Sequence, residues 1–344
     1  MIIIINGGSS LKQKYFFAII ILVVLMAVLS ACSSRGAGNE ANAPSSTAAE
    51  ENQTPEAVPG AHGASLTKIV NAPLGDVEIP QNPQRIVTDG YLPELLVLGL
   101  KPVGSTGFEL ENKVIQDQIE GIQSTGERSL EVILSLEPDL IVTWVSDMAI
   151  LEQYQKIAPT LSVPYGYFNS IYETIGFLGD ALNKKAEGEE WLTGLDQTAA
   201  EARAELEGII EPESTFALMG VFVVDRGFYI YGDGGYRGGE AIYTHLKLTP
   251  PRKQQEEMIG KEQYRQISYE VVDEYAGDYI FIDQGAMISE VWGNNEGVWK
   301  SLDAVKNNRV LPLDPDLFWG NDPISLKLQI KEIVRMLKEN ASQE

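Results

Sequence analysis

Cysteine and histidine are nearly missing from this chain. Among 344 residues there is one cysteine, Cys32, and two histidines, His62 and His245. No disulfide can form within the chain. A transition-metal site built from protein ligands normally takes several His or Cys side chains, so no resident metal or other cofactor is expected. There is also no His-Glu-x-x-His pair, no Gly-x-Ser-x-Gly elbow and no Walker A loop. The catalytic inventory is thin and points away from an enzyme. Positive charge is scarce too: 26 Lys and Arg stand against 49 Asp and Glu, a net charge of −23. Such a chain repels nucleic acid and anionic lipid surfaces. It also makes a poor general trap for strongly anionic ligands.

What is present begins with an address. Lys12 and Lys14 precede an uncharged apolar run, Tyr15 to Val28, followed by Leu29-Ser30-Ala31-Cys32. A positive region, a short apolar core and small residues before a cut site define a secretory signal. The run is shorter than the about 20 residues that span a bilayer. The Leu-Ser-Ala-Cys order resembles the bacterial lipobox, which implies lipidation of Cys32 and a place on the extracellular face of the cell membrane. The alternative is an ordinary signal with a chance cysteine. Met1 to Leu11 is apolar for a positive region, which suits a start further downstream. Residues 32–66 are rich in Ser, Ala, Gly, Asn, Glu and Pro and read as a flexible tether. Removing residues 1–31 takes away two lysines and no acid, so −23 becomes −25.

The remaining chain, about 280 residues, reads as two α/β lobes. In residues 67–183, strand candidates Arg85–Thr88, Pro102–Ser105, Asp139–Thr143 and Thr160–Val163 alternate with helical stretches at Pro93–Leu98, Leu130–Leu136 and Ala149–Ile157. Residues 211–344 repeat the theme with Phe216–Val224, Phe228–Tyr231, Asp278–Asp283 and Arg309–Leu313, then a last helix over Ser325–Leu337. Short apolar runs between helices argue for parallel sheet. Between the halves, within residues 184–210, a polar helix is expected over Lys185–Leu206. Its apolar residues Leu192, Leu195, Ala199, Ala202 and Leu206 fall three and four apart. One stripe packed on both lobes would fix their angle; periodicity alone leaves open a plain surface helix of one lobe.

The segment Tyr231-Gly-Asp-Gly-Gly-Tyr-Arg-Gly-Gly-Glu240 follows a strand and opens a helix. Its glycine spacing does not fit G-x-G-x-x-G, because the third position falls on Arg237. Either a ligand loop or a flexible turn fits that composition. Here the chain resembles the iron–siderophore-binding lipoproteins of Gram-positive bacteria, with the ferric-hydroxamate group closest. These are substrate-binding components of ABC importers. Further pieces follow in order: Pro83-x-Arg85-Ile86-Val87, Leu136-x-Pro138-Asp139-Leu140-Ile141, Ile157-Ala158-Pro159-Thr160, Tyr275 to Ile280, Trp299-x-x-Leu302-x-Ala304-Val305-Lys306 and Trp319-x-Asn321-Asp322-Pro323. The resemblance implies a periplasmic-binding-protein-like fold of the helical-backbone type, a monomer, a ferric siderophore as ligand and ABC permease subunits as partners.

It also implies ligand contacts at Arg237, Tyr229 and Trp319, with Trp144 and Tyr165 in matching loops. The closest members carry a tryptophan two residues before the arginine, where this chain has Gly235. Either Tyr236 supplies a ring from the next position or the pocket is wider. A ferric tris-catecholate carries a charge near −3 and calls for clustered cations; ferric tris-hydroxamates are neutral or weakly positive and call for aromatic walls. Candidate cleft residues here are aromatic; for each of Tyr91, Tyr167, Phe168 and Trp292, a cleft wall and core packing stand as equal readings. Arg237 is the one cation placed by the motif. No partner for it is evident in the sequence, and burying it unpaired would be costly. The resemblance gives Glu94 and Glu240 to permease docking; the plainer reading puts each in the first turn of a helix, worth about 0.3–1 kcal/mol. His245 is expected to be structural. Rival readings are another iron chelate (catecholate, citrate or haem), a corrinoid, and a surface-anchored hydrolase.

Overall fold

The computed structural model describes residues 66–343 apart from 223, 285, 286, 288–291, 294 and 295. The signal, Cys32, the tether to residue 65 and His62 lie outside the described residues. Among the described residues no helix is long and apolar enough to cross a membrane.

An antiparallel hairpin comes first, β1 (Thr67–Ala72) and β2 (Gly75–Pro80), with Ala72 opposite Gly75. The first lobe is a five-stranded parallel sheet of β3 (Ile86–Asp89), β4 (Gly104–Ser105), β5 (Gln123–Ser124), β6 (Leu140–Thr143) and β7 (Thr160–Ser162), in the order β5-β4-β3-β6-β7. All four residues of β3 and of β6 are buried, as suits strands covered on both faces. Around them pack α1 (Leu92–Val97), α2 (Gly107–Leu110), α3 (Leu130–Ser135), α4 (Met148–Gln155) and α5 (Ile171–Ala181).

The long helix α6 runs over Lys185–Leu206, as its stripe predicts. Leu195, Ala199, Ala202 and Leu206 are buried, and Leu192 packs against the same core. α6 touches α5 of the first lobe and the last helix, α10 (Pro323–Ala341), of the second. The stripe therefore serves both lobes, and the plain surface helix is excluded.

The second lobe holds β8 (Phe216–Phe222), β9 (Gly227–Tyr231), β10 (Tyr264–Ile267), β11 (Tyr279–Asp283) and β12 (Val310–Pro312), ordered β10-β9-β8-β11-β12. β8, β11 and β12 are parallel; β9 and β10 add antiparallel strands on one side. Its helices are α7 (Arg252–Glu257), α8 (Glu296–Ser301), α9 (Asp303–Lys306) and α10, with a π-helical turn over Glu240–His245. α10 starts on Asp322, whose Oδ1 accepts from Ile324 N at 3.0 Å and Ser325 N at 2.8 Å, with Pro323 in the first turn.

Candidate functional site

Loops leaving the carboxyl ends of the strands in both lobes, together with β9 and the start of β10, enclose a cleft of about 1700 Å³. This is where open α/β sheets place ligands. All six candidate contact residues line it: Trp144 after β6, Tyr165 after β7, Tyr229 on β9, Tyr236 and Arg237 in the loop after β9, and Trp319 after β12.

The first-lobe wall is built on Gly90 and Trp144. Gly90 has φ +109°, and a Cβ there would come within 2.3 Å of the Trp144 ring, so the indole lies flat on the backbone only because residue 90 is glycine. Trp144 meets Tyr165 edge to face at 5.5 Å and Phe108 at 6.4 Å. The second-lobe wall is a run of rings: Phe222 on Tyr229 at 5.9 Å, Tyr229 on Tyr264 at 6.2 Å and Tyr264 on Tyr236 at 5.2 Å. The Tyr229 hydroxyl donates to Asp225 Oδ2 at 2.6 Å, and that carboxylate pushes its pKa up to about 12. The walls meet where Tyr165 Oη donates to Tyr236 Oη at 3.4 Å. Phe108, Tyr264 and Phe222 were not singled out from the sequence.

Of the four aromatics left undecided, Tyr91 and Phe168 line the cleft and Tyr167 does not. The Tyr91 hydroxyl is spent on Val163 O at 2.7 Å. Trp292 belongs to the core: it is 1 % exposed and packs on Phe228, Tyr269 and Trp299.

Arg237 departs from expectation. It is 4 % exposed and has a partner, Asp283 at the end of β11, with Nε 2.7 Å from Oδ2. Its Nη1 donates to Trp319 O at 3.3 Å, and the indole of Trp319 covers the guanidinium at 4.2 Å. Burial pushes the Asp283 carboxyl up, and Arg237 pulls it back. A second cleft arginine, partly exposed, is also paired: Arg128 Nε and Nη2 reach Asp89 Oδ2 and Oδ1 at 2.6 and 3.2 Å. A Cβ at Gly235 would fall 2.1 Å from Asn321 Nδ2. Asn321, which donates to Glu240 Oε2 at 3.1 Å, thus fills the space in which a tryptophan at 235 would begin. Tyr236 brings its own ring into the cleft from the next position.

Glu94 and Glu240 are not outer-surface carboxylates. Each is 8 % exposed and both line the cleft. Glu240 Oε1 lies 3.5 Å from Nε2 of His245, which is buried and stacks on Tyr172 at 6.1 Å. Burial pushes the Glu94 carboxyl well above the usual range, and the neighbouring Asp322 and Glu109 add to this. Their placement assigns both glutamates to the chamber, and the docking role implied by the resemblance does not follow from it. Among the described residues no group of three or more His, Cys, Asp or Glu side chains could hold a metal ion.

The periplasmic binding protein family model matches residues 88–317. The iron(3+)-hydroxamate-binding protein YxeB of Bacillus subtilis is 35 % identical over 278 residues, covering 79 % of this chain and 85 % of that protein. The iron(3+)-hydroxamate-binding protein FhuD of the same species is 32 % identical over 268 residues, covering 76 % and 84 %. The structure of FhuD2 from Staphylococcus aureus with bound ferrioxamine B matches with a TM-score of 0.66 at 27 % identity, covering 75 % of this chain and all of that one. The fold is thus shared with the FhuD2 structure, and the chain belongs to the periplasmic binding protein family.

Proposed function

We propose that this protein is a non-enzymatic receptor that captures a ferric hydroxamate siderophore between its lobes and hands it to an ABC permease. Lipid on Cys32 tethers it to the extracellular face of the membrane. Iron is cargo, fully ligated by the siderophore, so the protein supplies walls rather than metal ligands.

The observation that carries this reading is the charge of the cleft. Nine acidic and four basic side chains line it, an excess of five acids. Arg128 and Arg237 are already paired with Asp89 and Asp283, which lie behind the wall. A trianionic catecholate or citrate complex would meet repulsion there. A neutral or cationic chelate meets aromatic faces instead, and Phe108, Tyr165, Tyr264 and Trp319 are 63, 65, 54 and 44 % exposed. Covering such rings is favourable. In this reading Trp144, Tyr165, Tyr229, Tyr236 and Trp319 wrap the ligand's methylene chains, and Arg237 directs an N–H at the iron-bound oxygens.

Quenching of tryptophan fluorescence by a ferric siderophore panel tests it. Tight binding of ferrioxamine B or ferrichrome is expected, with ferric citrate and ferric tris-catecholate at least a hundredfold weaker. The reverse order would overturn the hydroxamate assignment. Delivery by docking through Glu94 and Glu240 would require a permease to reach them from the cleft mouth. A double variant, E94A with E240A, that binds ligand normally yet loses uptake would return them to docking.

A further inference from the structure

Four carboxylates at the floor of the cleft have different fates. Glu109 is satisfied: Oε1 accepts from Leu92 N at 2.7 Å and Oε2 from Ser105 Oγ at 2.7 Å, which fixes the start of α1. Asp322 caps α10 through Oδ1, and its Oδ2 accepts from Ser325 Oγ at 2.5 Å and from Asn112 Nδ2 of the other lobe at 3.3 Å. Glu240 is held by Asn321 and faces His245. Glu94 differs. It is more than nine-tenths buried and lines the cleft, yet its Oε2 has no hydrogen-bond partner among the described residues. A buried carboxylate oxygen without a partner is costly unless something arrives to satisfy it.

What could arrive is limited by the surroundings. The charged groups that act on Glu94 are both acids, Asp322 from the second lobe and Glu109 from the first. An anion is excluded. A metal ion is poorly served, since no three-ligand group is present among the described residues. An ammonium group offers three donors and no acceptor, which suits two carboxylates drawn from the two lobes.

We propose that Glu94, with Asp322 beside it, is the seat for a protonated amine carried by the siderophore, so that the receptor prefers ferric hydroxamates with a cationic arm over neutral ones with the same iron core. The inference rests on the hydroxamate reading above and adds a second determinant to Arg237: one recognises the iron-bound oxygens, the other the arm. Burial and the adjacent acids push the Glu94 carboxyl well above the usual carboxylate range. The incoming cation favours the charged carboxylate, so a proton held there leaves to solvent as the ammonium takes its place.

A matched pair of ligands separates this subsite from the reading beneath it. Ferrioxamine B ends in a free amine; its N-acetyl derivative keeps the iron coordination and loses the charge. Calorimetry on the full chain should show the amine form binding at least tenfold tighter. Repeated in two buffers of different ionisation enthalpy, it should show proton release with the amine form alone. In E94Q the affinity ratio should fall to near one. Because α10 needs its cap, the second variant is D322N, which retains a capping side chain and should lower the ratio part of the way. Equal binding of both ligands by the wild-type protein, or an undiminished ratio in a folded E94Q, would overturn the subsite and leave the hydroxamate reading standing. Binding of neither ligand would overturn both.

Discussion

Each lobe uses the same device at the cleft and builds it to a different tolerance. Asp89 ends β3 and Asp283 ends β11, and each carries an arginine that lines the cleft. In the first lobe Arg128 forks onto both Asp89 oxygens, while Tyr154 Oη at 3.0 Å and Thr143 Oγ1 at 3.4 Å also donate to Oδ2. The arginine side chain remains 38 % exposed. In the second lobe Arg237 and Asp283 are 5 % and 1 % exposed, and their close approach is not aligned as a hydrogen bond. The first pair is a finished structural brace. The second holds its guanidinium by charge, by the Nη1 contact to Trp319 O and by the Trp319 ring. Arg237 Nε and Glu94 Oε2 are both buried without an aligned hydrogen-bond partner among the described residues, and in the proposed function a ligand completes them.

Breaking the second-lobe pair should have the largest effect. Arg237→Ala strands a buried Asp283, at a cost of about 3–5 kcal/mol, and also weakens ferric hydroxamate binding. Adding Asp283→Asn should recover most of the stability and none of the binding. Urea melts of the four proteins in a double-mutant cycle read both; an R237A protein as stable as wild type would break the comparison. Gly235→Ala ranks next. Its Cβ meets Asn321, so about 1–3 kcal/mol of overpacking is expected, with loss of the Asn321–Glu240 contact.

Glu94→Gln should act in the opposite direction. The folded carboxyl titrates above its ordinary value of 4.5 because of burial first and Asp322 second. Below that value both folded and unfolded chains hold the proton and nothing is lost. As pH rises, the unfolded chain releases its proton before the folded one does, and stability falls toward the folded pKa. Glutamine removes the difference. A gain of about 1–2 kcal/mol above neutral pH is expected, near 2–4 °C in Tm per kcal/mol, vanishing at pH 4. A gain that persists at pH 4 would contradict the assignment. Arg128→Ala should be mildest, about 1 kcal/mol or less, since that side chain is partly solvated and Asp89 keeps its other donors.

Much of the fold was legible because its signals are local. The stripe on α6 gave both ends of the helix, and the buried runs of β3, β6 and β11 announced parallel strands to within a residue or two. The hairpin of β1 and β2 was not foreseen, because its exposed, alternating residues follow directly on a tether of similar polarity. The six contact candidates all reached the cleft, yet their partners did not show in the sequence. Asp283 lies 46 positions beyond Arg237, and Asn321 lies 86 beyond Gly235; such pairs exist only through sheet topology. Trp292 illustrates the same limit, since an aromatic residue carries no mark of whether it faces ligand or core.

Paired arginines leave an acidic, aromatic cleft, which suits a neutral or cationic ferric chelate. Equilibrium competition tests it most directly: the receptor is loaded with ferrioxamine B and challenged with ferric citrate while tryptophan fluorescence is followed. Retention of ferrioxamine B against a hundredfold excess of ferric citrate is the expected result, and displacement at equal concentrations would contradict the account.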